Sequence, residues 1–172
     1  VTVNASGDGL DSNGSILISG GNVIVHGPTS GGDGALDANT GIIVTGGTLY
    51  AASTLGMVET PSSDSAQCVV SYAQNQSIAS GSVLTVKDSD GNEIMSVTVL
   101  KSCQSVILSS PGFTSGNTYY VYVDSDRTAS ATISGILTYI GSAGSTGGGM
   151  GGNAPGGNGP GNAGGNPPSG RK

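Results

Sequence analysis

Two stretches of this chain repeat one pattern of residues, and that repeat limits the folds available to it. GDGLDSNGSILISGGNVIV runs from Gly7 to Val25, and GDGALDANTGIIVTGGTLYA runs from Gly32 to Ala51. Both stretches alternate apolar with polar residues around a pair of glycines, and neither shows helical spacing. Self-similarity at a period of about 25 residues is typical of solenoids, in which each repeat is one structural unit. We therefore expect each repeat to form one coil of a β-solenoid.

The alignment of the two repeats predicts which residues stack on one another. Like positions of successive coils should lie directly above one another, about 4.8 Å apart. Inward aliphatic ladders are expected at five aligned pairs: Leu10 with Leu36, Ile16 with Ile42, Ile18 with Val44, Val23 with Leu49, and Val25 with Ala51. Val1 and Val3 align with Val23 and Val25. We expect them to form the last strand of an earlier coil, with further coils upstream.

The pattern changes after the second repeat. Residues 58–65 are polar and contain Pro61, which predicts a loop that leaves the solenoid. Residues 66–140 hold six β-rich runs, and the Asp90-Gly91 step between two of them is a strong hairpin signal. We expect these runs to form an antiparallel sheet or small sandwich. It would act as a cap over the open end of the solenoid and hide the unpaired edge of the last coil.

The sequence therefore predicts an all-β chain in three parts. Residues 1–60 are the last coils of a solenoid, and residues 66–140 are the antiparallel cap. Residues 141–172 contain 14 glycines and four prolines but no aromatic residue. Because such a segment buries too little apolar surface to offset its ordering entropy, we expect a disordered Gly-rich tail.

The distribution of charge narrows the range of partners. Residues 1–86 contain no Lys or Arg but six acids: Asp8, Asp11, Asp33, Asp37, Glu59 and Asp64. With a formal net charge of -6 for the whole chain, nucleic acid is not an expected partner. No run of eighteen or more apolar residues occurs, so membrane insertion is not expected either.

Several of these motifs resemble those of a known family. The coils GDGLDSNGSILISGG and GDGALD…IVTGGTL, the DSDGN hairpin and the strand LKSCQSVILSSP are similar to those of secreted bacterial carbohydrate-binding β-helix proteins, typified by clostridial binders of plant cell-wall polysaccharides. The similarity covers about residues 1–125. It implies a right-handed parallel β-helix, calcium held at coil turns, and binding of cellulose or acidic pectic polymers without catalysis. The chain departs from the family in having only two full coils.

The carboxylates of the repeats are candidate calcium ligands. In the predicted register Asp8 stacks on Asp33 and Asp11 stacks on Asp37, which costs roughly 1 kcal/mol per pair in water and about 3 kcal/mol at an effective dielectric of 20. A calcium ion would offset this repulsion, since it takes six to eight oxygen ligands. The alternative is that these residues form solvated Asx-turns before glycines. The DSDGNE segment at residues 88–93 is explained by a hairpin turn.

Two outward positions in each coil predict a ligand-binding surface. Leu17 above Ile43 and Ile24 above Tyr50 would form exposed apolar stripes, which usually mark an interaction site. The alternative is that the cap or another subunit covers them. Tyr119, Tyr120 and Tyr122 form the main aromatic cluster, and alternation places the second and third on one face. Tyrosines could stack on sugar rings, although packing within a strand is the commoner role.

Catalysis is not expected in this chain. Every Asp of the repeats lies in a Gly/Ser/Asn turn rather than an apolar pocket, the repeats have no Lys or Arg to serve a lyase mechanism, and His26 is expected to be a solvent-facing turn residue. Cys68 and Cys103 lie on separate predicted cap strands. An extracellular location favours a disulfide between them, and two free thiols are the alternative.

These observations predict an extracellular, noncatalytic module that binds a pectic or cellulosic polysaccharide with the help of calcium. The alternative is a structural one, an adhesin or surface-fibre stalk, and a polysaccharide lyase fragment is less favoured. Self-association, or stacking on upstream coils, is a further expected contact.

Overall fold

The computed structural model describes residues 1–141, which consist of β-strands and their connections without a helix. The strands are β1 Thr2–Asn4, β2 Leu10–Ser12, β3 Ser15–His26, β4 Leu36–Ala38, β5 Gly41–Ser53, β6 Val69–Ile78, β7 Val83–Asp88, β8 Glu93–Thr98, β9 Cys103–Ser109, β10 Thr118–Val123, β11 Asp126–Thr132 and β12 Leu137–Gly141. The all-β prediction is confirmed for this range. The disordered tail predicted for residues 141–172 lies outside the described residues, apart from Gly141 at the end of β12.

The two sequence repeats stack in parallel and in the predicted register. Strand β3 pairs with β5, placing Ile18 beside Val44, and β2 pairs with β4 in a separate two-stranded sheet. Strand β1 continues the stack, with Val3 beside Val25. These ladders bury one continuous aliphatic cluster, here called the repeat core: Ile18, Val23, Val25, Ala35, Leu36, Ala38, Ile42, Val44, Leu49, Ala51, Val69 and Ile107.

The glycine pair of each repeat marks a break in the long strands. The β3–β5 register shifts between Ile18 and Asn22, at the glycines, and both Gly21 and Gly47 have positive φ, 76° and 83°. A Cβ atom on Gly47 would lie 2.6 Å from the carbonyl carbon of Gly20. Gly47 therefore meets two needs at once, since only glycine combines a left-handed backbone with such close approach of two chains, whereas Gly21 meets only the first.

The segment after the repeats stays against them instead of leaving the stack. Residues 58–65 were predicted to be a departing loop, but the Ser62 amide donates to the Ile42 carbonyl at 2.8 Å. A carboxylate oxygen of Glu59 accepts from the Ala38 amide at 2.9 Å, and the Ser65 hydroxyl accepts from the Val44 amide at 3.0 Å. The segment thereby satisfies the free edges of β4 and of the first half of β5 without forming a strand.

The cap segment contributes strands to two sheets. Strands β11, β10, β7 and β8 form an antiparallel sheet in that order, here called the outer sheet. Strands β9, β6 and β12 extend the repeat sheet to the order β1-β3-β5-β9-β6-β12. Because β9 runs antiparallel beside residues 49–53 of β5, it covers part of the last repeat's edge, as expected for a cap.

The cap is not wholly antiparallel, and this part of the prediction was wrong. The last of the six β-rich runs, residues 130–140, was expected to be one strand, but it is interrupted between Thr132 and Leu137, so its start belongs to β11 and its end to β12. Strand β11 stays in the outer sheet, while β12 crosses to the other sheet and pairs in parallel with β6. A connection between sheets allows this parallel pairing, which a tight hairpin could not produce.

A second apolar core lies between the outer sheet and the repeat sheet. We call it the sandwich core, and its buried residues are Tyr50, Ala52, Val70, Tyr72, Ile78, Leu84, Val86, Val99, Cys103, Val106, Leu108, Phe113, Tyr119, Val121 and Ile133. Tyr50 and Ala52 alternate along β5 with Leu49 and Ala51 of the repeat core. Residues 49–53 of β5 are therefore buried on both faces, and the cap lies against the side of the second repeat as well as along its edge.

Adjacent residues on β3 provide a test of the stacking register. Ile18 is 5% exposed in the repeat core, whereas Leu17 is 64% exposed on the opposite face. We expect Ile18→Ala to lower the free energy of unfolding by about 2–4 kcal/mol, and Leu17→Ala to change it by no more than about 0.5 kcal/mol. Urea denaturation of the two variants measures the difference, and equal losses would contradict the register.

Candidate functional site

The four carboxylates predicted to hold calcium fall into two classes. One oxygen of Asp8 accepts a hydrogen bond from the Gly34 amide at 2.7 Å, which ties the first repeat to the second. Asp33 accepts from the Ser30 hydroxyl at 3.2 Å within its own turn. Asp8 therefore links the two repeats while Asp33 bonds within its turn, neither bond is the Asx-turn of the alternative interpretation, and the Asp8 oxygen bound to Gly34 is already engaged.

Asp11 and Asp37 differ from that pair. They lie opposite each other in the parallel register of β2 and β4, so their Cα atoms are separated by about one strand spacing, 4.8 Å. Asp11 is exposed and Asp37 is half-buried. Neither carboxylate makes a hydrogen bond or ion pair with another residue in the range 1–141. We call these two residues the acidic pair, and they are the carboxylates of the repeats with the most free ligand capacity.

The acidic pair alone does not make a complete metal site. Residues 1–141 contain no group of three or more His, Cys, Asp or Glu side chains that could hold a metal ion. Two carboxylates supply only part of the six to eight oxygens that calcium takes. The acidic pair could supply two ligands of a calcium ion, and the remaining ligands would have to come from water or from a bound molecule.

The second acidic segment is a hairpin turn, as its sequence indicated. Asp88 accepts hydrogen bonds from the amides of Asp90 at 2.9 Å and Asn92 at 2.8 Å, and from the Asn92 side chain at 2.9 Å. These bonds, led by that from the Asn92 side chain, lower the pKa of Asp88. Gly91 supplies the positive φ of 87° that the turn between β7 and β8 requires. The Asp88 carboxylate therefore organises the turn.

The predicted ligand-binding stripe is largely covered. Tyr50 was expected to be exposed beside Ile24, but it is 1% exposed in the sandwich core, and Ile24 is half-buried against the same core. Tyr50 does point away from the repeat core, as predicted. Because the outer sheet packs on that side, however, Tyr50 cannot contact a ligand. Leu17 remains exposed and its stacking partner Ile43 is half-buried.

His26 also differs from its prediction as a solvent-facing residue. It is 4% exposed, and its ring centroid lies 5.4 Å from that of Tyr50. Burial, and secondly the positive charge of Lys101, lower the pKa of His26 from its ordinary value of 6.5. Lys101 also donates hydrogen bonds to the carbonyls of Ala5 and Gly27. The imidazole therefore belongs to the contact between the repeats and the cap.

The predicted disulfide does not form, because Cys68 and Cys103 are free thiols. In the β6–β9 register Val69 lies opposite Ser109, whereas Ile78 lies opposite Cys103. The two cysteines thus lie near opposite ends of β9, about 20 Å apart along the strand. A disulfide needs Cα atoms within about 7 Å.

Burial raises the pKa of the Cys103 thiol to about 11. The thiol lies beside the buried hydroxyl of Tyr50, and that hydroxyl has no hydrogen-bond partner of ordinary geometry in residues 1–141.

The tyrosines of β10 occupy two faces, as alternation predicted. Tyr119 is buried, packs edge-on against Phe113 with ring centroids 5.0 Å apart, and donates to the Gly112 carbonyl at 2.8 Å. Tyr120 and Tyr122 are half-buried on the other face, where Arg127 and Lys87 lie over their rings at 5.2 and 5.4 Å. Alternation along β10 predicted that these two rings share a face. It did not predict the cations over them, because Arg127 and Lys87 reach the rings through cross-strand pairing.

Comparison with known proteins yields no match, whether against family models, curated proteins or solved structures. Among residues 1–141, no helix is long and apolar enough to cross a membrane.

The single histidine provides a direct test of the contact between repeats and cap. We expect the imidazole signals of His26 to titrate with a pKa below 6.5 in an NMR pH series. A lowered folded pKa means that this group stabilises the fold fully above pH 6.5, and that its contribution is lost as pH falls through the folded pKa. Titration at or above 6.5 would contradict burial of the ring, and the spectrum is unambiguous because the chain has one histidine.

The cysteines provide a second test. In the native protein at pH 8, iodoacetamide should alkylate the half-buried Cys68 but not Cys103, which is 3% exposed and protonated at that pH. Both should react once the chain is unfolded, as measured by peptide mass mapping. A mass gain of one pair of hydrogen atoms on reduction would instead demonstrate a disulfide.

Proposed function

We propose that this chain is a noncatalytic, extracellular carbohydrate-binding module that recognises an acidic plant cell-wall polysaccharide through calcium. In this proposal the stacked repeats are the last coils of a right-handed parallel β-helix, and the chain is related to the secreted bacterial carbohydrate-binding β-helix proteins that its motifs resemble. One observation carries the proposal: Asp11 and Asp37 lie in register on adjacent strands, and neither carboxylate has a partner within residues 1–141.

Electrostatics favours a cation at the acidic pair. Two carboxylates one strand spacing apart repel by about 1 kcal/mol in water and by about 3 kcal/mol at an effective dielectric of 20. Residues 1–86 contain no Lys or Arg to offset this, and no basic side chain of residues 87–141 lies within 4.0 Å of either carboxylate. A calcium ion would neutralise the pair and would gain two carboxylate ligands in return.

The incompleteness of this donor set suits a bridging role. A calcium ion held by Asp11 and Asp37 keeps coordination positions for oxygens from outside the protein. Uronate carboxylates are suitable ligands, and without a cation they would be repelled by the six acids of residues 1–86. Calcium would therefore connect an acidic polymer to an acidic protein surface.

A neutral polymer such as cellulose is the second candidate, and the exposed Leu17 supports it. Leu17 is 64% exposed directly above Ile43 in the parallel register, so an apolar strip remains on the uncovered half of the repeats. Such a strip could contact the apolar face of a glucan chain without any metal. The alternative of a structural stalk applies if neither polymer binds.

The environment of the titratable groups supports a noncatalytic role. His26, the only imidazole in the chain, is buried in packing contacts, and its pKa is lowered by burial. Asp8 accepts a hydrogen bond from the second repeat, and Asp33 accepts one within its own turn. Asp11 and Asp37 lie close together, but Asp11 is exposed, whereas glycoside hydrolysis uses an acid held in an apolar pocket.

Retention on polygalacturonate tests the proposal. We expect added calcium to increase the retention of the parent protein on immobilised polygalacturonate, and a chelator to remove that increase. Asp11→Asn with Asp37→Asn should abolish the calcium-dependent increase, because the cation then loses both charged ligands.

A matched control separates ligation from net charge. Asp64→Asn with Asp90→Asn removes the same charge from two exposed positions outside the repeats, and should leave the increase intact. An equal loss in both double variants, or no calcium effect in the parent, would refute the calcium bridge. Calcium-independent retention on cellulose that Leu17→Ser reduces would support the neutral polymer, and no retention on either would favour the stalk.

A further inference from the structure

The outer sheet presents a second surface that the calcium proposal does not use. Tyr120 and Tyr122 point away from the sandwich core, because they alternate along β10 with the buried Tyr119 and Val121. Arg127 lies 5.2 Å from the ring centroid of Tyr120, and Lys87 lies 5.4 Å from that of Tyr122. We call these four residues, Lys87, Tyr120, Tyr122 and Arg127, the tyrosine face.

The cations reach this face from both sides of β10. Arg127 belongs to β11 and pairs with Tyr122 in the register, while Lys87 belongs to β7 and pairs with Tyr120. Each side chain thus extends diagonally to the ring two residues away from its backbone partner. Strands β7 and β11 are two strand spacings apart, about 10 Å, so the charged groups flank a central aromatic strip.

Neither cation of the tyrosine face forms an ion pair within residues 1–141. The chain has eleven Asp and Glu residues, and all of them precede residue 127. It has five Lys and Arg residues, of which Arg171 and Lys172 are the last two residues of the sequence. Within residues 1–141, however, no carboxylate oxygen comes within 4.0 Å of Lys87 or Arg127. This holds even for Glu93, which lies opposite Lys87 in the β7–β8 register. The two charges remain available to an external anion.

We propose that the tyrosine face binds a carboxylate-bearing sugar chain directly, without a metal ion. Arg127 offers a planar set of donors that matches a carboxylate in a bidentate arrangement. Its position over Tyr120 holds the guanidinium in place, which lowers the entropy lost on binding. A linear polymer crossing β10 would present one carboxylate to Arg127 and a later one to Lys87.

Hydroxyl groups on the same side of the sheet favour a sugar chain over other anions. Thr118 and Thr132 share a hydrogen bond of 2.8 Å between their hydroxyls, and the exposed Ser96 shares one of 3.1 Å with the buried Thr85. Cross-strand pairing places these hydroxyls on the face of Tyr120 and Tyr122. Single-stranded DNA suits the face less well, because it lacks the free ring hydroxyls that a uronate polymer offers to these side chains.

Binding in the presence of a chelator tests this inference apart from the calcium bridge. At low ionic strength with excess EGTA, we expect soluble oligogalacturonate to bind the parent protein, and the affinity to fall as salt is added. Arg127→Gln with Lys87→Gln should weaken this binding by about tenfold or more, since hydrogen bonds between charged groups are lost. Isothermal titration calorimetry measures the affinities, and the melting temperature checks that the variant is folded.

Controls assign the effect to the tyrosine face. Arg171→Gln with Lys172→Gln makes the same change in net charge and should leave the affinity unchanged. Arg127→Lys, which keeps the charge but loses the bidentate geometry, should give an intermediate affinity. The Asp11→Asn and Asp37→Asn double variant should keep the EGTA-resistant binding, whereas the Arg127 and Lys87 double variant should keep the calcium-dependent increase on polygalacturonate.

Three results would overturn the inference. The first is that the parent protein binds no oligogalacturonate in EGTA. The second is that both double variants of the basic residues lose affinity equally, which would indicate an effect of net charge alone. The third is that a single-stranded oligothymidylate binds as tightly as oligogalacturonate and competes with it, since the face would then select charge and aromatic stacking without selecting a sugar.

Discussion

Strand β5 is the element on which the rest of the structure depends. Its parallel edge pairs with β3, and its other edge is completed by β9 and by the segment before β6. Leu49 and Ala51 point into the repeat core, while Tyr50 and Ala52 point into the sandwich core. The last strand of a stack has an edge of unpaired amides and carbonyls, which invites association with other chains. In this protein one strand joins both cores, so the repeats and the cap stabilise each other.

This arrangement decides which surfaces of the repeats can meet a ligand. The outer sheet covers the half of the second repeat that contains Tyr50, and Leu17 on the other half stays exposed. The acidic pair lies on the separate β2–β4 sheet, which pairs with no cap strand. A cap that lies against the side of a stack therefore removes some candidate binding residues and leaves others, even though all of them point outward along their own strands.

Charge is divided between the two parts of the chain. The repeats contain acids and no Lys or Arg, and the three basic residues before residue 142 all belong to the cap. Lys101 turns back to the repeats and donates to the carbonyls of Ala5 and Gly27, where it also helps keep His26 neutral. Lys87 and Arg127 instead lie over tyrosine rings. The two proposed binding modes follow from this division. The acidic pair of the repeats requires a calcium ion to bind an anionic polymer, whereas the tyrosine face of the cap supplies its own positive charges.

The sequence by itself determined the local pattern: the repeat, the register of Ile18 on Val44, the hairpin at Asp90-Gly91 and the two faces of β10. These features depend on residue alternation and turn chemistry, which act over a few residues or between aligned repeats. Only the tertiary structure decided that Tyr50 and His26 are buried, that Cys68 and Cys103 lie at opposite ends of β9, and that β12 joins β6 in parallel. Each of these depends on which sheets pack together and on how strands distant in sequence pair. The sequence pattern cannot decide them, because alternation along one strand is the same whether its outward face meets water or another sheet.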